Sequence, residues 1–334
     1  MKHKYFKVVC SLICLMLIMT SNSFALSNDE DVSTEQNQYT ITESYEYPVV
    51  PGTDEWKSFT SHVQMIQACQ VPENILKKMT TEALFQTVMD FPLLGDALLF
   101  DDSDAGYNAL KTNCNALREL LEREDASTLF NNYNSQRYLT FASDIGIYEG
   151  YTKYIAEQCF DLIYSKINNA TITLRATPSK VTNANVKTPK GKKVPHYENL
   201  TNSDHGDTSS TVASYEAYLK NTYPSAVKIS GPKPAYNCHS YAWHSTSTTN
   251  NNWIDGADSK LYWEDGSYKK TTSPKNADKV VYKNGTTITH SAIYFNAPTN
   301  VVYSKWNRYG VYKHSRSYYP YIGKDNTYTS YTKS

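Results

Sequence analysis

Cysteine is scarce in this chain of 334 residues: there are six, and two of them, Cys10 and Cys14, fall within the first 25 positions. The other four, Cys69, Cys114, Cys159 and Cys238, are too few to frame a chain of this length, which excludes a small disulfide-stapled scaffold. No apolar run after the amino terminus approaches the ~18 residues of a membrane span. The sequence also lacks a Gly-x-Ser-x-Gly elbow, a phosphate loop and a dinucleotide fingerprint, so serine hydrolase and nucleotide chemistry have no anchor. An excess of charge is absent too, with 33 Lys and Arg against 33 Asp and Glu.

The amino terminus reads as a targeting segment. Lys2, Lys4 and Lys7 precede the apolar run "VVCSLICLMLIM", and the small residues Ser23 and Ala25 follow it. That order predicts a secretory signal peptide cleaved after Ala25, and hence a secreted or extracellular protein. Residues 26–45 are polar and acidic without apolar periodicity, which predicts a disordered leader.

Zero net charge hides two unlike halves. Residues 26–170 carry 9 basic and 23 acidic side chains, whereas residues 171–334 carry 21 and 10. The asymmetry predicts two bodies. The basic half suits an anionic wall polymer such as teichoic acid, or the acidic half itself. It has no nucleic-acid-binding motif, and secretion argues against that partner.

The pattern over 46–168 is helical. "ENILKKMTTEALFQTVMDF" places Ile75, Leu76, Met79, Ala83, Leu84 and Val88 near one stripe, and two later segments repeat the pattern around Cys114 and Cys159. This predicts an all-α amino-terminal domain whose cysteines are buried thiols or include one pair. Asp101, Asp102 and Asp104 in "FDDSDAGY" resemble a fragment of a calcium loop, but Thr112 stands where its terminal glutamate belongs. Residues 169–211 read as a linker or surface segment. Over 212–334 one helical stretch precedes strand-like runs, "AVKIS", "KVVYKNG", "THSAIYF" and "NVVYSKW", separated by Asn, Gly or Pro turns. An α+β domain follows.

The chemistry gathers in "AYNCHSYAWH", residues 235–244. Gly231, Pro232 and Pro234 force a non-helical approach, Asn237 is a favoured helix cap, and Cys238 falls at the first helical position, where the helix dipole favours a thiolate. His290, at the mouth of the strand "HSAIY", supplies a candidate base. Cys238 also reads as a buried structural thiol, or as a metal ligand beside His239 and His244. Neighbouring residues on a helix diverge, however, and no Cys-x-x-Cys or His-x-x-x-His pair accompanies them.

A helix-opening cysteine, then "DKVVY", then the histidine strand "HSAIY", resembles the papain-like superfamily, specifically its NlpC-like and CHAP-like cell-wall peptidases and amidases. The likeness covers roughly 230–315. The series also resembles a group of secreted proteins of Gram-positive bacteria that carry a helical amino-terminal domain. The resemblance implies a papain-like α+β domain with a cysteine-bearing helix packed on an antiparallel sheet. Cys238 is then the nucleophile and His290 the base. A third polar residue on the next strand is Ser304 or Asn307, because Lys305 cannot accept from an imidazole N–H. The Cys238 N–H serves the oxyanion, with Tyr236, His239 and Trp306 on the substrate side. The expected function is a secreted thiol hydrolase cleaving an amide bond in peptidoglycan peptides or glycopeptides, with no cofactor, metal or integral membrane span. The alternatives are a non-catalytic surface or adhesion module that retains the fold, and a secreted toxin or protease aimed at other proteins.

Overall fold

The computed structural model describes residues 39–140, 151–168, 178–273, 278–321 and 326–334. The expected signal peptide, most of the expected leader and residues 169–177 lie outside them. From Tyr39 onward the chain is one contact unit, with helices in its amino-terminal half and a mostly antiparallel sheet in its carboxy-terminal part.

The main helices are α1 (Thr81–Met89), α2 (Ser103–Asn113), α3 (Asn115–Leu121), α4 (Ala126–Thr140) and α5 (Tyr151–Ile167). Two segments that read as single helices are each divided. Thr80 is extended, and its hydroxyl accepts from the Ala83 N–H, so a new helix starts there. Cys114 is extended between α2 and α3, with φ −108° and ψ 105°. The acidic run before α2 is explained by capping: an Asp102 carboxylate oxygen accepts from the Asp104 and Ala105 N–H groups at 2.7 and 3.0 Å. The leader is ordered at its end, since Ile41 exchanges backbone hydrogen bonds with Lys78 and Thr80 at 2.8 and 2.9 Å.

Helix α6 (Ser209–Thr222) packs back on α5. The sheet follows, built from β1 (Val227–Ser230), β2 (Tyr268–Thr271), β3 (Lys279–Asn284), β4 (Thr287–Asn296), β5 (Val301–Lys305), β6 (Val311–Ser315) and β7 (Asn326–Lys333). Its order is β1-β6-β5-β4-β3-β7-β2, with every neighbour antiparallel. Strand β7, which closes over the edge of β3, went unread in the sequence.

Alternation along the strands sends successive side chains to opposite faces. Val280, Tyr282, Ala292, Tyr294 and Val302 join one hydrophobic cluster with the helices of the amino-terminal half. Val281 joins a second cluster with Val186, Val194, Ile254 and Ala242 and Trp243 of helix α7 (Cys238–Trp243). The sheet is thus a middle layer, and helical and sheet halves share one core. Hydrogen bonds across that core reinforce it: Trp56 Nε1 donates to the Thr222 carbonyl at 2.8 Å, and the buried Asp96 carboxylate holds His62, Tyr218 and Tyr223 at 2.6–2.9 Å. Residues 178–208, read as a linker or surface segment, pack instead as a covering layer with Val186, Val194 and His196 fully buried.

Candidate functional site

The approach to α7 folds as its sequence directs. Asn237 is extended and wholly buried, and its Oδ1 accepts from the Ser240 N–H at 3.0 Å, capping the helix. Its Nδ2 donates to Asp101 Oδ2 and to the Ile254 carbonyl, both at 2.7 Å. Cys238 follows as the first helical residue and is 2 % exposed. Burial pushes its thiol well above the ordinary cysteine range, and the nearby Asp101 carboxylate adds to this. The N–H groups of Ser291, His239 and Cys238 itself act in the opposite direction. At rest the sulfur holds its proton.

Around that sulfur the fold assembles a cluster. One ligating atom each from Asp101, Cys238 and His239 lies within 4.8 Å of the other two. The His239 ring is fixed from behind, its Nδ1 lying 2.9 Å from Ser291 Oγ, which also accepts from Trp243 Nε1 at 3.0 Å. Burial takes His239 down to about 3, so the ring is neutral. Asp101 is exposed as a residue, but protein surrounds the inner end of its carboxyl and raises it to about 7, against the pull of Asn237. Asp101 and His239 open on a cleft of about 750 Å³ whose walls include Phe100, His205, Trp253 and Gly256. Gly256 cannot carry a side chain here: a Cβ would stand 2.6 Å from the Ile288 carbonyl and 3.1 Å from His239 Nε2.

The other expected site residues are distributed differently. His290 makes no hydrogen bond to Cys238, and neither of its ring nitrogens has a hydrogen-bond partner. Alternation along β4 is the reason. Ser291 turns toward His239 and Trp243 of α7, while His290 turns toward Tyr282, Tyr319 and Tyr321, stacking on Tyr321 at 4.3 Å. Burial, with His239 and His314 nearby, lowers its pKa well below the usual histidine value. Ser304 does not orient His290 either; its Oγ lies 2.7 Å from His314 Nε2 and accepts from Trp306 Nε1 at 3.0 Å. Asn307 ties the sheet to the helical half through Nδ2 and the Leu99 carbonyl at 2.8 Å. Trp306 is fully buried and stacks on Tyr312 at 4.1 Å.

Tyr236 does belong to the neighbourhood of Cys238, through Lys305. That lysine is wholly buried, its Nζ 4.8 Å from the Tyr236 ring centroid and held by the Asn307 and Tyr309 carbonyls. Burial lowers its pKa well below the usual value, and the neighbouring Cys238 and Asp101 act in the opposite direction. Asp101 stands out in the sequence only as part of a calcium-loop fragment, and Lys305 only as a side chain unable to accept from an imidazole N–H.

The four cysteines among the described residues are all free and buried. No helix among those residues is long and apolar enough to cross a membrane. Comparisons with known protein families, with curated proteins and with solved structures find no match.

Proposed function

We propose that this protein is a secreted thiol hydrolase of papain-like architecture that cleaves amide bonds in cell-wall peptides, with Cys238 as nucleophile and His239 as its proton partner. The observation that carries the reading is the Asp101, Cys238 and His239 cluster, of which Asp101 and His239 line the cleft. The thiol proton passes to His239 as sulfur attacks the carbonyl carbon, and the Asp101 carboxylate stabilises the imidazolium. The imidazolium then protonates the departing amine, and water hydrolyses the thioester. His239 suits this exchange because it lines the cleft, whereas His290 has no exposed surface. The mouth is acidic, with Asp102, Asp104 and Asp204 set against Lys260. That balance favours a substrate bearing free ammonium groups, as diamino-acid stem peptides do.

The test is release of new amino groups from purified peptidoglycan. Cys238→Ala and His239→Ala should each lower the rate by about 100-fold or more. Full activity in Cys238→Ala rules the reading out, and a wild type that binds the polymer without cleaving it points to an adhesion module. A second assignment of the base has its own support, since a buried neutral imidazole with both nitrogens unpartnered, as in His290, is an unusual structural choice. A folded His290→Phe variant that is inactive makes His290 the base.

A further inference from the structure

We propose that Asp101, Cys238 and His239 form a binding site for a divalent transition-metal ion of the zinc type, and that the ion occupies the thiol and silences the cleft. A carboxylate oxygen, a thiol sulfur and an imidazole nitrogen make a donor set that zinc takes readily. Ligand atoms on zinc stand roughly 3–4 Å apart, given bonds of about 2.0–2.3 Å. The three donors already lie within 4.8 Å of one another, close to that spacing.

A second observation points the same way. His239 is 2 % exposed, its Nδ1 is engaged by Ser291 Oγ, and no described residue bonds its Nε2, which lies beside Gly256 on the cleft wall. A ligating histidine usually donates its other ring N–H to a hydrogen-bond acceptor, and Ser291 Oγ stands in that place here. Asn237, donating to Asp101 Oδ2, steadies the carboxylate in the same manner.

The surrounding charges allow the ion. Lys305 is satisfied by the carbonyls of Asn307 and Tyr309, and Arg308 is paired with Asp207. Asp255, whose charge acts on Asp101, is itself paired with Lys180 at 2.6 Å. On binding, the sulfur loses its proton to solvent and forms the metal bond, and no redox step is involved. Three protein ligands leave a fourth position for water or a substrate group. The metal site does not require Cys238 to turn over substrate; only the silencing rests on the hydrolase reading.

The test uses the whole secreted chain and cobalt(II) as a spectroscopic stand-in for zinc. One equivalent of cobalt should produce a thiolate-to-metal charge-transfer band that zinc displaces. Zinc should also protect Cys238 of the unmutated protein from iodoacetamide, read by peptide mass. Asp101→Asn and His239→Gln should remove that protection, and Ser291→Ala should weaken binding by about 10–100-fold. Absence of the band, its persistence in Cys238→Ser, or undiminished alkylation under zinc overturns the site. Those results leave the hydrolase reading intact, whereas a wild type that binds zinc but stays inactive after a chelator has stripped the ion overturns hydrolysis alone.

Discussion

The side-chain amide of Asn237 donates to the Asp101 carboxylate over 2.7 Å, joining residues 136 positions apart in the chain. The same buried side chain caps α7 through Ser240, so a single residue fixes both the helix that begins at Cys238 and the carboxylate near it. Asn237→Ala should cost about 2–3 kcal/mol, combining a lost cap of ~1 kcal/mol with a lost hydrogen bond to a charged group. Asn237→Ser restores only the cap and should recover about 1 kcal/mol. Urea denaturation midpoints measure both, and equal losses in the two variants remove the capping role.

Asp96 organises the contact between the helical half and α6. It is 6 % exposed, and its carboxylate lies 2.8 Å from His62 Nε2 and accepts from the hydroxyls of Tyr218 at 2.9 Å and Tyr223 at 2.6 Å. Replacing it removes an acceptor shared by three buried polar groups. Asp96→Ala should therefore destabilise by about 3–5 kcal/mol, and Tyr218→Phe and Tyr223→Phe by about 1–3 kcal/mol each. Because the tyrosines share one acceptor, the double Phe variant should depart from additivity by at least ~0.5 kcal/mol. Strict additivity in chemical denaturation argues against a coupled network.

What could be read from the residues alone was what local chemistry determines. Asn237 as cap and Cys238 at the first helical position depend only on the prolines before them and the apolar residues after them. Strands β1, β3, β4 and β5 showed themselves by β-branched runs between turn residues. The face of β4 was not legible. Alternation requires that either His290 or Ser291 meet α7, but the choice depends on register, and pairing with β3 slips by a bulge between Tyr282 and Lys283. Asp101 was equally hidden, since nothing near it in sequence announces Cys238. The divided helices were missed because Met79 and Cys114 fit an apolar stripe, while the break at each depends on a capping hydroxyl or a local extended backbone. The alternation of tyrosine and threonine in "NTYTSYTK" was a fair strand signal for β7 and went unused.

His290 provides a stability test that does not depend on any assumed substrate. Its ring is wholly buried among tyrosines, and both nitrogens lack hydrogen-bond partners. An unmet buried polar group costs about 1–3 kcal/mol. Phe keeps the stacking on Tyr321 and removes the penalty, at the cost of a slightly larger ring. His290→Phe should raise stability by about 1 kcal/mol in urea unfolding. A loss of more than ~2 kcal/mol means that the imidazole is held by polar contacts after all.

His314 sets a pH limit on the fold. Its Nδ1–H donates to the Ser315 carbonyl at 2.8 Å, so in the neutral ring Nε2 is the acceptor of the Ser304 hydroxyl at 2.7 Å. A proton on Nε2 forces that bond to reverse, onto a hydroxyl oxygen that already accepts from Trp306 Nε1, and faces the Trp306 N–H 3.4 Å away. Burial lowers the folded-state value to about 4, against the smaller raising effects of the Ser315 and Tyr318 backbones. The unfolded chain titrates near 6.5, so over this interval it binds more protons than the folded one. The contribution of His314 is therefore complete above pH 6.5 and drains away as pH falls toward 4. Its size, about 3 kcal/mol, follows from the shift at ~1.4 kcal/mol per pH unit. His239 and His290, lowered likewise by burial, act with the same sign. Unfolding free energies at pH 7 and pH 4.5 should fall more steeply for the natural protein than for His314→Gln, by about 2–3 kcal/mol. Carboxylates titrating in the same range are common to both proteins and cancel in the difference. Parallel losses in the two proteins mean that His314 is already charged in the folded state, or is never buried as a neutral ring.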